Sequence, residues 1–586
     1  MLLTPSERWR LWVLLFAMLM TGLLQVFGVS SILPLISVIS DPRNVDRMGI
    51  VSEILDVLGA TDIESAMVWL TMLAFAALVV SNILSAITSW FSFRFVWSVQ
   101  SRLSTDVLAR YMEHPYEHLL QRNPSEAEKN ILSEVHVFTN GVMLPLLRFL
   151  SSGTVVVIIG IFLVVYNPLF ALMATAVLGL GYLLTFSVLR RRIANAGERR
   201  VVANQARFQK ASEAIAATKE AQILGRTSEF VSRYSVPAQR FATVTSLQQI
   251  LAETPRYAIE VLAFGSVLLI SMFVAYTSDD VSEIGAIAGI YAVAGYRLMP
   301  NMQRMYNAWS QIRFNRVVVK ILFDDHQYGV AGTETYEQES KKIDALSGSI
   351  EIRDLKYRYP AAEEDVIDGI NIDIGRGQTV CFVGETGSGK TTLAELILGM
   401  LPASSGGIFI DGTELSTTNA RSWQDQIGYV PQDVYLIDDS IEANIAFGIP
   451  AGERDIARIR DAAQIARIDN FVETQLPYGY KTVIGDRGVR LSGGQRQRLG
   501  IARALYHEPS VLLLDEATSN LDRETEESLQ QAIEAISGDL TVLVVAHRLL
   551  ATRSSDMIYV LDNGRIINKG KYNDVVDESG GLRTVI

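Results

Sequence analysis

Long apolar runs dominate the chain up to about residue 320. Beyond about residue 345 short β-branched strands alternate with glycine turns and amphipathic helices. Six of the apolar runs are long enough to cross a bilayer core, which takes roughly 20 residues of helix. They fall at 11–40, 67–95, 138–166, 169–190, 254–277 and 284–308. The run TVVVIIGIFLVV at 154–165 is the least ambiguous, and Asn167-Pro168 after it predicts a tight return into the fourth span. Pro34 inside the first span is tolerable as a kink. That span reads as a retained helix and not a cleavable leader, since its apolar part is too long and no small-residue cleavage site follows. The more polar stretches 98–136 and 190–250 read as helical extensions of the spans, with tips at 113–122 and 219–226 hanging well below the membrane. The pattern therefore predicts a transmembrane domain over 1–323, a linker over 324–348 rich in Asp, Glu, Gly and Ser, and an α/β domain over 349–586.

Composition agrees with a membrane half joined to a water-soluble half. Hydrophobic residues make up 49% of the 586 and charged residues only 20%, below the roughly 25% of soluble domains. Lys+Arg 52 against Asp+Glu 64 gives a net charge of −12, which argues against a general nucleic-acid binder. The single cysteine, Cys381, excludes an internal disulfide framework and a cysteine-based zinc site, and it reads as a small apolar residue in a buried strand. Loop charge sets an orientation. The loop 278–283 carries Asp279, Asp280 and Glu283 with no base, whereas 190–240 holds eleven Lys/Arg against four Glu. The positive-inside rule then places 190–240 and both termini in the cytoplasm.

The second half carries a nucleotide motif. The strand TVCFV (379–383) runs into GETGSGKTT and then the helical LAELILGML. This is the strand–GxxxxGK[ST]–helix pattern, in the context that the motif requires. In it Gly384, Glu385, Thr386, Gly387, Ser388, Gly389, Lys390, Thr391 and Thr392 form a phosphate cradle. Glycines let backbone N–H groups approach the phosphates, Lys390 reaches the β/γ-phosphates of ATP, and the Thr391 hydroxyl ligates Mg²⁺. VLLLDE (511–516) is an apolar strand ending in two carboxylates. It delivers Asp515 to the metal and leaves Glu516 beside the γ-phosphate to polarise a water. The segment LSGGQ (Leu491, Ser492, Gly493, Gly494, Gln495) opens a helix and offers a second phosphate-binding surface, which must meet a nucleotide held elsewhere. His547 follows the strand TVLVVA and can hydrogen-bond the γ-phosphate. Gln432 in GYVPQD can sense water and metal, and Tyr359 in KYRYP is placed to stack on adenine.

In this order, GETGSGKT, Gln432, LSGGQ, VLLLDE, SNLD (519–522) and His547 resemble the nucleotide-binding domain of ABC transporters. The resemblance covers the whole chain, because six spans followed by one such domain is similar to a half-size ABC exporter of the type IV fold. It implies a P-loop α/β domain with an antiparallel β subdomain and a helical subdomain. The segment VIGDRGVRLSGG (483–494) resembles the loop before the exporters' signature, with Asp486 where Glu is more usual, and Asn520 stands where the D-loop usually has Ala. The resemblance further implies that Asp522 belongs to that D-loop, and that ATP is sandwiched between the cradle of one chain and LSGGQ of another. One chain has one of each, so a homodimer with two composite sites is expected. The tips at 113–122 and 219–226 would then be the coupling helices.

Ionisable residues inside spans default to function. Arg256 and Glu260 lie one helical turn apart and can pair, Arg148 sits in the third span, and Arg297 lies near mid-membrane with no acid in its own span. Arg94 and Arg304 read as snorkelling residues at cytoplasmic ends. Guanidinium groups suit bidentate phosphate binding, so a dimer would enclose a cationic cavity. ISVISD (36–41), ETPRY with Glu260, and YRLMP (296–300) resemble the lipid-linked-oligosaccharide flippases of bacterial protein glycosylation (PglK type). That resemblance implies ATP-driven flipping of a pyrophosphate-linked glycan to the outer leaflet of a bacterial inner membrane, with Arg256, Arg297 and Arg148 facing the cargo. The same machine with a drug, lipid A core or peptide as cargo is the alternative, and a non-transporting ABC channel or regulator a more distant one.

Overall fold

The computed structural model describes residues 3–30, 63–120, 123–166, 168–258, 260–261, 265, 268, 272, 281–333, 342–360, 362–485, 488–516, 540–546 and 555–576. The chain divides into two compact units, one of Met1–His114 and Gln121–Val330, the other of Pro115–Leu120 and Ala331–Ile586.

The first unit is all helix: α1 (Pro5–Ser30), α2 (Ile63–Glu113), then, beyond the short α3 (Tyr116–Leu120) of the second unit, α4 (Leu144–Tyr166), α5 (Pro168–Ala216), α6 (Thr218–Ile223), α7 (Thr227–Glu253) and α8 (Val281–Thr333). Among the described residues, Glu64–Glu113 and Pro124–Val165 are long and apolar enough to cross a membrane, each with a window of mean hydropathy 2.2. α4 ends at Tyr166 and α5 begins at Pro168, so the return is as tight as the Asn-Pro pair predicts. The polar stretches beyond the spans are helical, because α2, α5 and α7 run on through them. The expected linker differs at its start, where α8 continues unbroken to Thr333. Pro34 and the loop 41–62 lie outside the described residues.

α1 runs antiparallel to α2, pinned by Thr21 to Thr88 (3.0 Å), Gln25 to Ser85 (2.7 Å) and the Arg102 guanidinium donating to both Glu7 oxygens at 2.6 and 2.8 Å. Between α3 and α4 the chain alternates α and π turns, with π segments at Lys129–Glu134 and Thr139–Met143. Such bulges re-aim side chains, and here they turn polar groups inward. Glu134 is fully buried and accepts from Arg200 at 2.7 Å and Asn204 at 3.0 Å. Asp325 accepts from Tyr111 (2.9 Å) and Asn130 (2.7 Å). Two glycines let helices close on α8. A Cβ on Gly197 would lie 1.9 Å from the Phe314 carbonyl oxygen, and one on Gly141 would lie 2.5 Å from Asn315 Nδ2.

The second unit holds two sheets. β1 (Ser349–Tyr357), β2 (Ile367–Gly375), β4 (Ser405–Ile410) and β5 (Thr413–Glu414) form an antiparallel sheet in the order β2-β1-β4-β5. The larger sheet is ordered β10-β9-β3-β8-β7-β6. Its members are β3 (Thr379–Gly384), β6 (Ile427–Val430), β7 (Val511–Asp515), β8 (Thr541–Ala546), β9 (Met557–Asp562) and β10 (Arg565–Gly570). All its pairings are parallel except β10 with β9. Such strands are covered on both faces and read as unbroken apolar runs, as TVCFV, VLLLD and TVLVVA do. α9 (Lys390–Ile397) follows β3, and α10 (Gly493–Tyr506) packs over a separate apolar cluster that includes Ile459, Val472 and Leu499. Cys381 is fully buried, as its strand predicts.

Breaking the buried Glu134–Arg200 pair strands a charge away from water. Glu134→Ala is expected to cost about 3–5 kcal/mol, read as a lowered unfolding midpoint of the detergent-purified protein. An unchanged midpoint would show that the pair contributes nothing net.

Candidate nucleotide site

Parallel pairing places the carboxyl ends of β3, β6, β7 and β8 along one edge. Val383 pairs with Ala546, Asp515 with Val545 and Val430 with Leu514. The cradle 384–392, Gln432 and the carboxylates 515–516 all leave the sheet at that edge, which is where open α/β sheets bind ligands. Sequence separation hides this convergence, since Gln432 and Glu516 are 84 residues apart.

The cradle folds as the glycines demand. Gly387 and Gly389 hold φ of 86° and 100°, a region that side chains avoid. A Cβ on Gly384 would stand 2.2 Å from the Leu561 carbonyl oxygen and 2.7 Å from Ser388 Oγ. The first turn of α9 follows, so its free N–H groups present a positive helix end to an anion. Lys390 is nearly buried, its Nζ donating to the carbonyls of Gly384 (2.9 Å) and Glu385 (2.8 Å). Burial pushes its ammonium below the usual lysine range, and the charges of Glu516 and then Asp515 oppose that shift.

Asp515 is buried at the end of β7. Glu516 turns out of the strand with φ of 49°, while its N–H is tied to the Val545 carbonyl at 2.9 Å. A non-glycine residue in this region is strained, and such strain gathers at functional sites. Gln432 Nε2 donates to Glu516 Oε2 at 2.5 Å, so the structure joins two of the residues singled out in the sequence. Ser492 caps α10: its Oγ accepts from the Gln495 N–H, and the Gln495 side chain accepts from the Ser492 N–H at 2.8 Å. Gly493 and Gly494 are thereby left at the open helix end. Among the described residues no hydrogen bond joins Leu491–Gln495 to the cradle. Farther along α10, Arg503 fixes the helix by donating to the carbonyls of Asn444 (2.9 Å) and Tyr435 (2.8 Å), and burial pushes its pKa down to about 10. Asp522, His547, Asp486 and Asn520 lie outside the described residues.

Tyr359 is half-buried, its hydroxyl 3.2 Å from Thr392 Oγ1 and 3.5 Å from Glu395. Sequence reading missed the residues around it. Tyr357 packs edge-on against Tyr359 with ring centroids 5.0 Å apart, and its hydroxyl donates to Glu117 of α3 at 3.0 Å. Glu395 also bonds the Tyr116 hydroxyl of α3. Burial, then the charge of Asp515, pushes the Glu395 carboxyl above the usual glutamate range, and the two tyrosine hydroxyls oppose the rise. The available signal was a lone acid inside the apolar helix LAELIL. Of the tip expected at 113–122 within the transmembrane domain, Pro115–Leu120 groups instead with the nucleotide unit.

In the first unit, Arg256 donates to Glu260 at 2.9 Å, the pair that their spacing allows. Arg148 lies 5.9 Å over the Phe93 ring. Arg297 is half-buried in α8 and carries no ion pair among the described residues. No hydrogen bond among them joins the three arginines.

Glycine cradle, strained carboxylate and capped signature helix define a P-loop ATP-binding unit joined to a helical membrane unit. Residues 367–519 match the ABC transporter family, and residues 11–293 match the ABC transporter transmembrane region. The chain is 31% identical over 501 residues to the ATP-dependent lipid A-core flippase of Ralstonia nicotianae, covering 82% of each. It is 39% identical over 254 residues to multidrug resistance protein 1 of Entamoeba histolytica, 43% of this chain and 19% of that one. Its fold matches a bacterial Atm1-family ABC exporter with ATP bound at a TM-score of 0.78, over 98% of this chain and 96% of that one, with 21% identity. The chain belongs to the ABC transporter family, as a half-size exporter whose ATPase unit drives translocation.

Two outcomes follow. Gly384→Ala should abolish ATP retention in filter binding while circular dichroism stays native, because its Cβ has nowhere to go. Glu395→Gln keeps an acceptor for both tyrosines and removes a buried charge. With the folded pKa raised, the wild type is unpenalised below the ordinary glutamate value, loses stability as pH rises from there through the folded pKa, and is level above it. The variant should therefore melt higher near pH 8 and lose that lead as pH falls below about 4.5. A lead that does not change with pH would contradict the raised carboxyl.

Proposed function

We propose that two copies of this chain form a flippase for a phosphate-bearing glycolipid, in its finest form a pyrophosphate-linked oligosaccharide, moved from the cytoplasmic to the outer leaflet of a bacterial inner membrane. Arg297 carries the cargo reading. It is a half-buried guanidinium deep in α8 without an acidic partner among the described residues, whereas the charge of Arg256 is answered by Glu260. A charge of this kind in a membrane segment asks for an anion, and a planar fork suits phosphate oxygens. Arg148 and Arg256 would support the same cavity.

In this reading the cradle from Gly384 to Thr392 binds the ATP phosphates, Lys390 neutralises the β/γ oxygens, and the Tyr359 ring stacks on adenine. Leu491–Gln495 and Asp522 of the second copy close the site, since a capped helix end with two glycines can bind the γ-phosphate only of a nucleotide held across an interface. Glu516 polarises the attacking water, Gln432 holds that carboxylate and reports the site to the membrane helices, and His547 bonds the γ-phosphate. The Thr391 hydroxyl, the Asp515 carboxylate and the Gln432 amide form an oxygen-only donor set that fits Mg²⁺, which usually keeps several waters and takes few protein ligands. When bound, Mg²⁺ neutralises charge on the transferring phosphoryl group. ATP can bias the exporter only through its unequal affinity for the two states.

A second reading, export of drugs, is favoured by the multidrug relative and by the closed Arg256–Glu260 pair, which leaves fewer free cations for an anion. Lipid A core, the cargo in the flippase relative's name, is itself an anionic glycolipid and falls under the first reading.

Reconstitution in liposomes separates these. With a fluorescent pyrophosphate-linked glycan, Arg297→Ala should slow flipping by about thirtyfold or more while ATPase in detergent is largely kept. Unchanged flipping, or ATPase stimulated by apolar drugs and not by anionic glycolipids, would favour the second reading. Glu516→Gln should lower ATP turnover by about 10²–10⁴ and stop transport in the same vesicles.

A further inference from the structure

α1 and α2 enclose a groove of about 910 Å³ whose walls are almost wholly apolar, among them Val13, Phe16, Met20, Leu84, Ile87 and Phe91. These residues recur at helical spacing, so each helix gives the groove one face. The antiparallel register set by Thr21–Thr88 and Gln25–Ser85 brings Arg10 level with Val99 and Arg94 level with Leu15. The two arginines therefore stand about 7.5 Å apart along the axis at 1.5 Å per residue, within reach of one phosphate or of two linked ones. Both line the groove, both are exposed, and no acidic residue among the described ones lines it. Neither is in an ion pair among the described residues, and Arg94 rests 5.4 Å over the Trp90 ring. The neighbouring Arg102 differs, being held by Glu7 and Asp106. Trp9, on the groove, and Trp12 beside it are about 70% exposed, as tryptophans of a membrane interface are. From Arg10 to the level of Leu84 the groove extends for some 15 residues, roughly 22 Å, the scale of one acyl chain.

We propose that this groove is a binding site for an anionic diacyl phospholipid of the bilayer, separate from the cargo cavity. Arg10 and Arg94 bind the phosphate, Ser98 adds a hydroxyl, and an acyl chain lies along Val13, Phe16, Met20 and Ile87. An apolar furrow ending in two unneutralised guanidiniums complements a lipid of net negative charge better than a zwitterionic one, whose own cation offsets its phosphate. Basic pockets between membrane helices on the cytoplasmic side bind such headgroups. The choice of leaflet rests on the orientation proposed above; the headgroup preference does not.

The test uses the full-length protein in nanodiscs, which expose both bilayer faces. Tryptophan quenching by brominated phosphatidylglycerol is compared with quenching by brominated phosphatidylcholine. The wild type should prefer the anionic lipid, by about fivefold for each arginine. Arg10→Gln/Arg94→Gln should abolish the preference, Arg10→Lys/Arg94→Lys should retain most of it, and Trp9→Phe/Trp90→Phe should remove its signal. ATPase in detergent should match the wild type in all of them, which separates lost lipid from lost fold. Three results would overturn the site. They are no preference in the wild type (as when a second copy covers the groove), a preference that survives the glutamine variant, and displacement of the lipid by an equimolar pyrophosphate-linked glycan or by inorganic phosphate. Failure of the cargo reading shows elsewhere, in the flipping rate of Arg297→Ala, so the two are distinguishable.

Discussion

Parallel strand pairing is the constraint on which the nucleotide unit depends. Because β6, β7, β8 and β3 point the same way, every chain reversal after them occurs at one edge, and the sheet needs no further instruction to assemble a site there. The apolar strands are what fix the register. Their side chains are buried on both faces, so a slip by one residue would drive the charged Glu516 into the sheet behind Asp515. The same burial gives the edge its electrostatics. Lys390 is held in a dry setting where its charge is poorly solvated, and the charges of Glu516 and Asp515 oppose the downward shift that burial imposes.

Much of this was legible in the sequence because glycine and lysine at fixed spacing have few structural uses other than a phosphate cradle. The membrane unit was legible for a different reason, as bilayer thickness dictates the length of apolar runs. The unread parts depend on contacts across long stretches of chain. Neither the φ of Glu516 nor its bond to Gln432 has a local signature, since both arise from β8 and β6 lying beside β7. Tyr116 and Glu395 are far apart in sequence and carry no shared motif, and only the folded chain makes them partners. The π segments between α3 and α4 likewise have no sequence rule. They follow from Glu134 and Asn130 reaching Arg200 and Asp325.

The cluster of Tyr357, Tyr359, Glu395, Tyr116 and Glu117 gives the nucleotide unit a contiguous polar path from Thr392, in the cradle, to α3. Apart from the edge-on ring contact of Tyr357 with Tyr359, each link is a single hydroxyl–carboxylate or hydroxyl–hydroxyl bond worth about 1 kcal/mol net. A path of weak links with discrete partners can rearrange, whereas an apolar interface of the same size would simply adhere. The raised Glu395 carboxyl marks the place along it where solvation is poorest.

The two glycines that face α8 act on adjacent residues, Gly197 on the Phe314 carbonyl and Gly141 on the Asn315 amide. A long rod gripped so tightly at one level cannot slide past its neighbours, but it can tilt. The grip is thus a fulcrum, with roughly 50 Å of helix on the Val281 side and about 28 Å on the Thr333 side at 1.5 Å per residue. A small push on the short arm is magnified nearly twofold at the far end of the long one, and Arg297, about 26 Å from the grip on that long arm, would move by about as much as the short arm's tip.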